Sequence, residues 1–183
     1  MTVANWITIA RLLAIPFVAA SIALYSPERP QWGTIALVAF LAAGLSDAVD
    51  GFVARVFRQK SRFGAILDPL ADKLLINVVL VFLAVNETYA YPVPRWFPVV
   101  VLARDIAIAM GAYALSDYFH KLRVQPRLTG KLTTAVQLAY IVAVLLQMGL
   151  APGLLYAAAA MTAISFTDYF IEGLRQARRK GSD

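Results

Sequence analysis

Residues 46–72 read SDAVDGFVARVFRQKSRFGAILDPLAD, and four aspartates stand in this stretch between long apolar runs. The residues of a first group follow the spacing i, i+3, i+4, i+7, i+8 and share one face of a predicted helix. They are Asp47, Asp50, Gly51, Ala54 and Arg55. A second group, spaced by four residues on a following helix, consists of Gly64, Asp68 and Asp72. If the two helices face each other, four carboxylates converge at one site.

The composition around this stretch predicts an integral membrane protein. Of the 183 residues, 60% are hydrophobic and 15% are charged, whereas soluble domains average about 45–50% apolar and ~25% charged residues. Cysteine is absent and His120 is the one histidine, which excludes disulfides, thiolate metal sites and histidine clusters. A bound metal would depend on carboxylate oxygens, the ligands preferred by Mg²⁺ and Mn²⁺.

Six apolar segments predict an all-α, polytopic membrane protein with six transmembrane helices. At about 20 residues per span, six spans occupy about 120 residues. We therefore expect one membrane domain over residues 1–183, with a basic tail over residues 175–183. Pro69 would lie in the first turn of the third helix, where proline is tolerated. The expected spans are Trp6–Tyr25, Gln31–Ser46, Asp68–Val85, Trp96–Ser116, Leu132–Leu150 and Gly153–Ile171.

The basic residues predict the orientation. They cluster after the second and fourth spans and in the tail, whereas the opposite side carries only Arg29 and Arg95. By the positive-inside rule, both termini and the aspartate-rich end face the cytoplasm. The net charge of +6 is then explained by cytoplasmic loops and contact with anionic lipid, so we expect no nucleic-acid partner.

The four carboxylates favour metal-dependent chemistry. Without cations they would repel one another strongly in a low-dielectric site. Two divalent cations between them suit in-line attack on a phosphorus atom, and a carboxylate at the rim can accept a proton from the attacking hydroxyl. The small residues on the same faces leave room for a large polar group, and Arg55 offers a fork to a phosphate. A carboxylate-lined cation transporter, a non-catalytic scaffold and simple neutralisation by nearby Arg or Lys are the alternatives.

The eight positions resemble the signature of the CDP-alcohol phosphatidyltransferases, Asp-x2-Asp-Gly-x2-Ala-Arg-x8-Gly-x3-Asp-x3-Asp. The opening NWITIARLL over residues 5–13 is also similar to the usual start of that family. The resemblance implies a six-helix enzyme, commonly a homodimer, of a bacterial cell membrane or an organellar equivalent, with its site open to the cytoplasm. Such an enzyme transfers the phosphatidyl group of CDP-diacylglycerol to an alcohol and releases CMP.

The resemblance also implies residue roles. Two divalent cations, Mg²⁺ or Mn²⁺, would be bound by Asp47, Asp50, Asp68 and Asp72. Asp72 would in addition be the catalytic general base. The CDP group would be bound by Asp50, Gly51, Ala54, Arg55 and Gly64.

Cations near the membrane are candidates for binding a phosphate on the acceptor alcohol. We select Arg11, Arg104 and Lys131, since Arg104 interrupts an apolar span and Lys131 lies where another begins. Lys73 is interpreted as a cation that extends to the membrane surface. Asp105 is expected either to pair with a neighbouring cation or to position substrate.

Two acceptors remain open. Phosphatidylglycerophosphate synthases of this family carry an arginine-acidic pair in span four and Gly-Lys-x-Lys-Thr at the start of span five. This chain keeps the pair as Arg104-Asp105 but has Thr133 at the second lysine position. Its residues 131–137 resemble cardiolipin synthases of the same fold more closely. We expect glycerol 3-phosphate as the acceptor, with phosphatidylglycerol as the alternative and an inositol phosphate ranked below both.

Overall fold

Six α-helices make up the computed structural model of the chain. It describes residues 3–57, 64–119 and 128–180, and the side chains of residues 12–45, 71–111, 128–173 and 175. Within these ranges there is no β-strand, apart from an isolated bridge between Ser26 and Arg29. The prediction of an all-α fold with six helices is therefore confirmed. The helices are α1 (Val3–Leu24), α2 (Gln31–Phe57), α3 (Gly64–Val85), α4 (Trp96–Phe119), α5 (Leu128–Leu145) and α6 (Ala151–Lys180).

Two of these helices are long and apolar enough to cross a membrane. They are Leu128–Leu145 in α5 and Ala151–Gly173 in α6. Shorter apolar segments, Leu12–Leu24 and Gln31–Leu45, lie in α1 and α2. These findings concern the part of the chain whose side chains are described.

Helix α3 begins earlier than its sequence predicted. It starts at Gly64, so Pro69 is its sixth residue and lies in the second turn. The prediction of a first-turn proline is wrong, because the glycine and both aspartates of the second acidic group already belong to one continuous helix. The proline leaves the carbonyl of Ala65 without its usual amide donor. The helix nevertheless continues through Pro69, so the positions of the second acidic group share one helical face.

Helix α5 ends five residues before its predicted boundary, because Gln147 adopts a left-handed conformation with φ of 53°. Its amide donates to the carbonyl of Val144 over 2.9 Å, and the amide of Met148 donates to the carbonyl of Ala143 over 2.8 Å. These two bonds form a Schellman cap. Glycine usually occupies such a position, but here the glutamine Nε2 donates to the Tyr25 hydroxyl over 2.6 Å.

This contact belongs to a tyrosine cluster, formed by Tyr25, Asn86, Tyr89 and Gln147. The rings of Tyr25 and Tyr89 stack with centroids 4.1 Å apart, and burial raises the pKa of Tyr89. Asn86 Nδ2 donates to the carbonyls of Ile22 over 2.6 Å and Tyr25 over 3.1 Å. The C-terminal ends of α1, α3 and α5 therefore meet at one end of the bundle.

The helices pack around a shared apolar core. Helix α1 packs against α2 and α3, α5 against α6, and α4 against α6 and α3. Polar side chains also join α5 to α6: Gln137 Nε2 donates to the Thr162 hydroxyl over 3.1 Å, and the Thr133 hydroxyl to the Met161 carbonyl over 2.9 Å. Such interhelical bonds are typical of helices whose surroundings are apolar. Helix α6 then continues through the basic segment predicted as a tail, as far as Lys180.

Candidate active site

The first acidic group extends a stripe of α2 that faces the core. Ala36, Phe40 and Ala43 are buried, with exposures of 0%, 2% and 5%. Their spacing of four and three residues continues to positions 47, 50 and 54 of the same helix. In sequence, Asp47 and Asp50 therefore occupy register positions that continue the spacing of these buried residues.

The second acidic group extends the matching stripe of α3. Ile76, Val79 and Leu83 are buried in the core, at 1%, 0% and 0% exposure. Asp72 precedes Ile76 by one helical turn and is partly buried, and Asp68 precedes it by another turn. Positions 68 and 72 therefore share the helical register of the buried residues of α3.

The two groups also lie toward the same end of the bundle. They occupy the last part of α2 and the first part of α3, which are consecutive helices. The C-terminus of α3 belongs to the tyrosine cluster, so the acidic groups are at the opposite end. Convergence of the four carboxylates stays a prediction, because the side chains of Asp47, Asp50 and Asp68 lie outside the described range.

Carboxylates form the donor set of the predicted metal site. The chemistry fits Mg²⁺ or Mn²⁺, which bind oxygen ligands. Among the side chains that the structure describes, no three acidic or histidine residues form a group. Asp72 is the one member of the predicted metal set within that range. The helices include the other predicted site residues, whose side chains lie outside it: Arg11, Asp47, Asp50, Gly51, Ala54, Arg55, Gly64 and Asp68.

Next to Asp72 lies a charged cluster of Lys73, Asn77, Arg104 and Asp105. Asp105 Oδ1 accepts hydrogen bonds from Lys73 Nζ over 2.6 Å and from Arg104 Nη1 over 2.7 Å. Asn77 Nδ2 donates to Asp105 Oδ2 over 3.3 Å and to the Lys73 carbonyl over 2.9 Å. One carboxylate of α4 therefore compensates two cations and is bound by two successive turns of α3.

Arg104 connects this cluster to α6. Its side chain is 6% exposed, and its Nη2 donates to the Ser165 hydroxyl. The guanidinium carbon lies 5.9 Å from the centre of the Tyr169 ring, within range of a cation–π interaction. The ion pair with Asp105 compensates the buried charge. Two of the guanidinium nitrogens are hydrogen-bonded, whereas the buried Nε has no hydrogen-bond partner among the described residues.

The start of α5 approaches the same guanidinium through Gly130. A β-carbon at this position would lie 3.1 Å from the Tyr169 hydroxyl and 3.6 Å from Arg104 Nη2. The absence of a side chain at Gly130 therefore allows the first turn of α5 to lie directly against Tyr169. The exposed Lys131 follows Gly130 in the chain, so the segment that begins α5 lies close to Arg104. The acceptor roles of Arg104 and Lys131 stay predictions.

Part of this neighbourhood was not predicted from the sequence. Lys73 does not extend freely to a membrane surface but is paired with Asp105, with 34% of its side chain exposed. Ser165 and Tyr169, which contact Arg104, received no role. The sequence contains little indication of their contact with Arg104, because Ser165 and Tyr169 are two polar residues four positions apart on an apolar helix.

The fold and the acidic motif place the chain in a known family. The family model for CDP-alcohol phosphatidyltransferase matches residues 1–167. The chain belongs to this family, and it is an enzyme of that class.

Relatives carry two different activities in their names. A CDP-diacylglycerol-glycerol-3-phosphate 3-phosphatidyltransferase of Sodalis glossinidius is 30% identical over 177 residues, covering 92% of this chain and 93% of that protein. An enzyme of the same name from Yersinia pestis is 31% identical over 146 residues, covering 79% and 77%. A human cardiolipin synthase (CMP-forming) is 36% identical over 125 residues, covering 60% of this chain and 40% of the human protein.

Proposed function

We propose that this enzyme transfers the phosphatidyl group of CDP-diacylglycerol to glycerol 3-phosphate, forming phosphatidylglycerophosphate and CMP. The observation that carries the proposal is the similarity to the Sodalis enzyme, which extends over 93% of that protein's length. A match of that extent includes the acidic helices and the α4 to α6 region together. The acceptor side is therefore included in the similarity, as well as the CDP motif.

The acidic groups are proposed to bind two divalent cations through Asp47, Asp50, Asp68 and Asp72. Their support is the register of α2 and α3, in which each group continues a stripe of buried residues. When bound, the cations would neutralise the pyrophosphate charge and the charge that develops during transfer. On the same faces, Gly51, Ala54 and Gly64 would leave room for the CDP group and Arg55 would donate to a phosphate oxygen.

In the proposed reaction, the acceptor hydroxyl gives its proton to Asp72 as its oxygen attacks the lipid-side phosphorus. A new phosphorus–oxygen bond forms to the acceptor, and the bond between that phosphorus and the bridging oxygen breaks. CMP leaves with the bridging oxygen and its electron pair. Asp72 suits this role because it is partly buried at the start of the core-facing stripe, where a carboxylate can reach a proton between the two helices.

The acceptor phosphate is proposed to lie between the start of α5 and the charged cluster. Lys73, Arg104 and Asp105 carry two positive charges and one negative charge, so the cluster by itself favours a nearby anion. Lys131 is exposed and is suited to bind the phosphate directly. Arg104 already donates to Asp105 and Ser165 through its two Nη atoms, and its guanidinium lies beside the Tyr169 ring. Arg11 of α1 remains the third candidate.

Replacing Lys131 with methionine is expected to raise the KM for glycerol 3-phosphate roughly 10-fold or more, because a hydrogen bond to a charged group is lost. The KM for CDP-diacylglycerol should not change, because the residue is not assigned to that substrate. Initial rates of CMP release, with each substrate varied in turn, check this expectation. Equal changes in both KM values would argue against a direct role at the acceptor.

Cardiolipin synthesis is the second candidate function. It is favoured by the human relative and by Thr133, which stands where phosphatidylglycerophosphate synthases have a lysine. The Thr133 hydroxyl donates to the backbone carbonyls of Thr129 and Met161 over 2.8 and 2.9 Å, and the residue is fully buried. This position therefore serves the packing of α5 on α6 and offers no cation to an acceptor.

The purified protein supplied with CDP-diacylglycerol and Mg²⁺ tests the acceptor. Glycerol 3-phosphate, phosphatidylglycerol and inositol phosphate would be offered separately, and CMP release measured for each. Release with glycerol 3-phosphate alone is expected. Release with phosphatidylglycerol alone would establish the second candidate, and metal flux into sealed vesicles without any CMP would favour a cation transporter.

The membrane arrangement is part of the proposal. All six helices would span the bilayer, with both termini and the acidic end in the cytoplasm, and two copies would form a homodimer. The meeting of the C-terminal ends of α1, α3 and α5 at one end of the bundle and the two helices long enough to cross a membrane support it. The basic residues that follow α2 and α4 in the sequence, and those of the last part of α6, favour this orientation by the positive-inside rule.

A further inference from the structure

We propose that Asp105 is a positioning residue, which fixes the acidic helix α3 against α4 and α6. It would act by binding Lys73 and Arg104 through one carboxylate. The proposal rests on the proposed metal-binding function of Asp68 and Asp72. It assigns a role to a residue outside the acidic motif, on a different helix.

The contacts with α3 begin directly beside the proposed metal ligands. Lys73 follows Asp72 in the chain and binds Asp105 Oδ1 at 2.6 Å. One turn later, Asn77 binds the other oxygen of the same carboxylate at 3.3 Å. Two contacts one helical turn apart restrict both rotation of α3 about its axis and movement along it. A rotation of α3 would carry Asp72 away from the core-facing stripe.

On its other side, Asp105 is itself held in place. Arg104 Nη1 binds Asp105 Oδ1 at 2.7 Å, and Nη2 of the same guanidinium binds Ser165 of α6. The side chain of Asp105 is 12% exposed and that of Arg104 is 6% exposed. Water competes little for bonds at this depth, so they restrain the helices more than surface contacts would. The cluster therefore links α3, α4 and α6 beside the proposed metal site.

A positioning role and a simple charge effect predict opposite results for Lys73. If Lys73 acted only as a positive charge near the carboxylates, its removal would reduce repulsion and strengthen cation binding. If it acts by fixing α3 through Asp105, its removal loosens the ligand geometry and weakens cation binding. Substitution with methionine, of similar length and helix propensity, separates the two cases.

Mn²⁺ binding to the purified full-length protein in detergent provides the test, measured from the free-ion electron paramagnetic resonance signal. Lys73→Met is expected to bind Mn²⁺ roughly 10-fold more weakly than the unmodified protein, the scale typical of residues that orient metal ligands. Lys73→Arg retains a donor for Asp105 and should restore most of the affinity. Glu87→Gln breaks an exposed ion pair of 2.7 Å with Arg95, at the tyrosine-cluster end, and should leave affinity unchanged.

The outcomes separate the two proposals. Binding by Lys73→Met as tight as, or tighter than, that of the unmodified protein would overturn the positioning role while leaving the metal site intact. No Mn²⁺ binding by the unmodified protein would overturn the metal site itself, and the positioning role with it. Gel filtration and tryptophan fluorescence verify folding, and Lys73→Leu, which also lacks a donor for Asp105, takes the place of the methionine variant if that variant does not fold.

Discussion

Replacing Asp72 with asparagine is expected to reduce CMP release by about 10²- to 10⁴-fold, the usual contribution of a general base. Asparagine has nearly the same shape but cannot accept the proton of the acceptor hydroxyl. It also removes one negative charge from the proposed metal ligands. The measurement is the rate of CMP release from CDP-diacylglycerol with saturating glycerol 3-phosphate and Mg²⁺.

Glu28→Gln is the matched control for this substitution. It makes the same change from carboxylate to amide at an exposed position in the connection between α1 and α2, at the end of the bundle opposite the acidic groups. Its activity should equal that of the unmodified enzyme. Full activity of Asp72→Asn, with Mg²⁺ present, would remove Asp72 from the mechanism. Asp68→Asn, tested in parallel, should be as inactive as Asp72→Asn.

Replacing Arg104 with methionine is expected to destabilise the fold by about 3–5 kcal/mol, the typical cost of removing one partner from a buried ion pair. The substitution removes the donors to Asp105 and Ser165 and the cation over the Tyr169 ring. Arg104→Lys should be intermediate, because lysine keeps the charge but cannot form both bonds through a planar fork. Reversible unfolding by sodium dodecyl sulfate in mixed micelles, followed by tryptophan fluorescence without substrate, measures the change.

Arg95→Met provides the comparison. Arg95 pairs with Glu87 at 2.7 Å, the same separation as Arg104 and Asp105, but the two side chains are 80% and 65% exposed. Exposed pairs contribute only about 0–1 kcal/mol. Equal effects of the two substitutions would show that the Arg104 pair is not buried in solution, and would also weaken the basis for a positioning role of Asp105.

The helices that contain the acidic groups were predictable from sequence because they depend on local spacing, whereas the chemistry of these groups stays a prediction. Asp47 and Asp50, and then Asp68 and Asp72, identify two faces without any knowledge of tertiary structure. The partners of Lys73 were not predictable in this way. The chain separates Lys73 from Asp105 by 32 residues, and no local pattern specifies which apolar helices pack together. Pairing across helices is determined by packing.

Helix ends show the same distinction. The start of α2 at Gln31 follows Pro30 and agrees with its prediction. The end of α5 does not, because the residues after Leu145 contain neither proline nor glycine until position 149. The helix stops there because Gln147 adopts a left-handed conformation, which is unfavourable for a residue with a side chain, while its side chain is hydrogen-bonded to Tyr25. A residue 122 positions away thus determines where the helix ends.

The tyrosine cluster has a consequence for how the chain can be divided. The Tyr25 hydroxyl accepts a hydrogen bond from Gln147, which follows α5. The Tyr25 carbonyl accepts one from Asn86, which follows α3. A fragment ending after α4 would retain the carbonyl contact and lose the hydroxyl contact. Complementation by two separately expressed halves therefore depends on restoring this junction, at the end of the bundle opposite the acidic groups, before the halves can function as one enzyme.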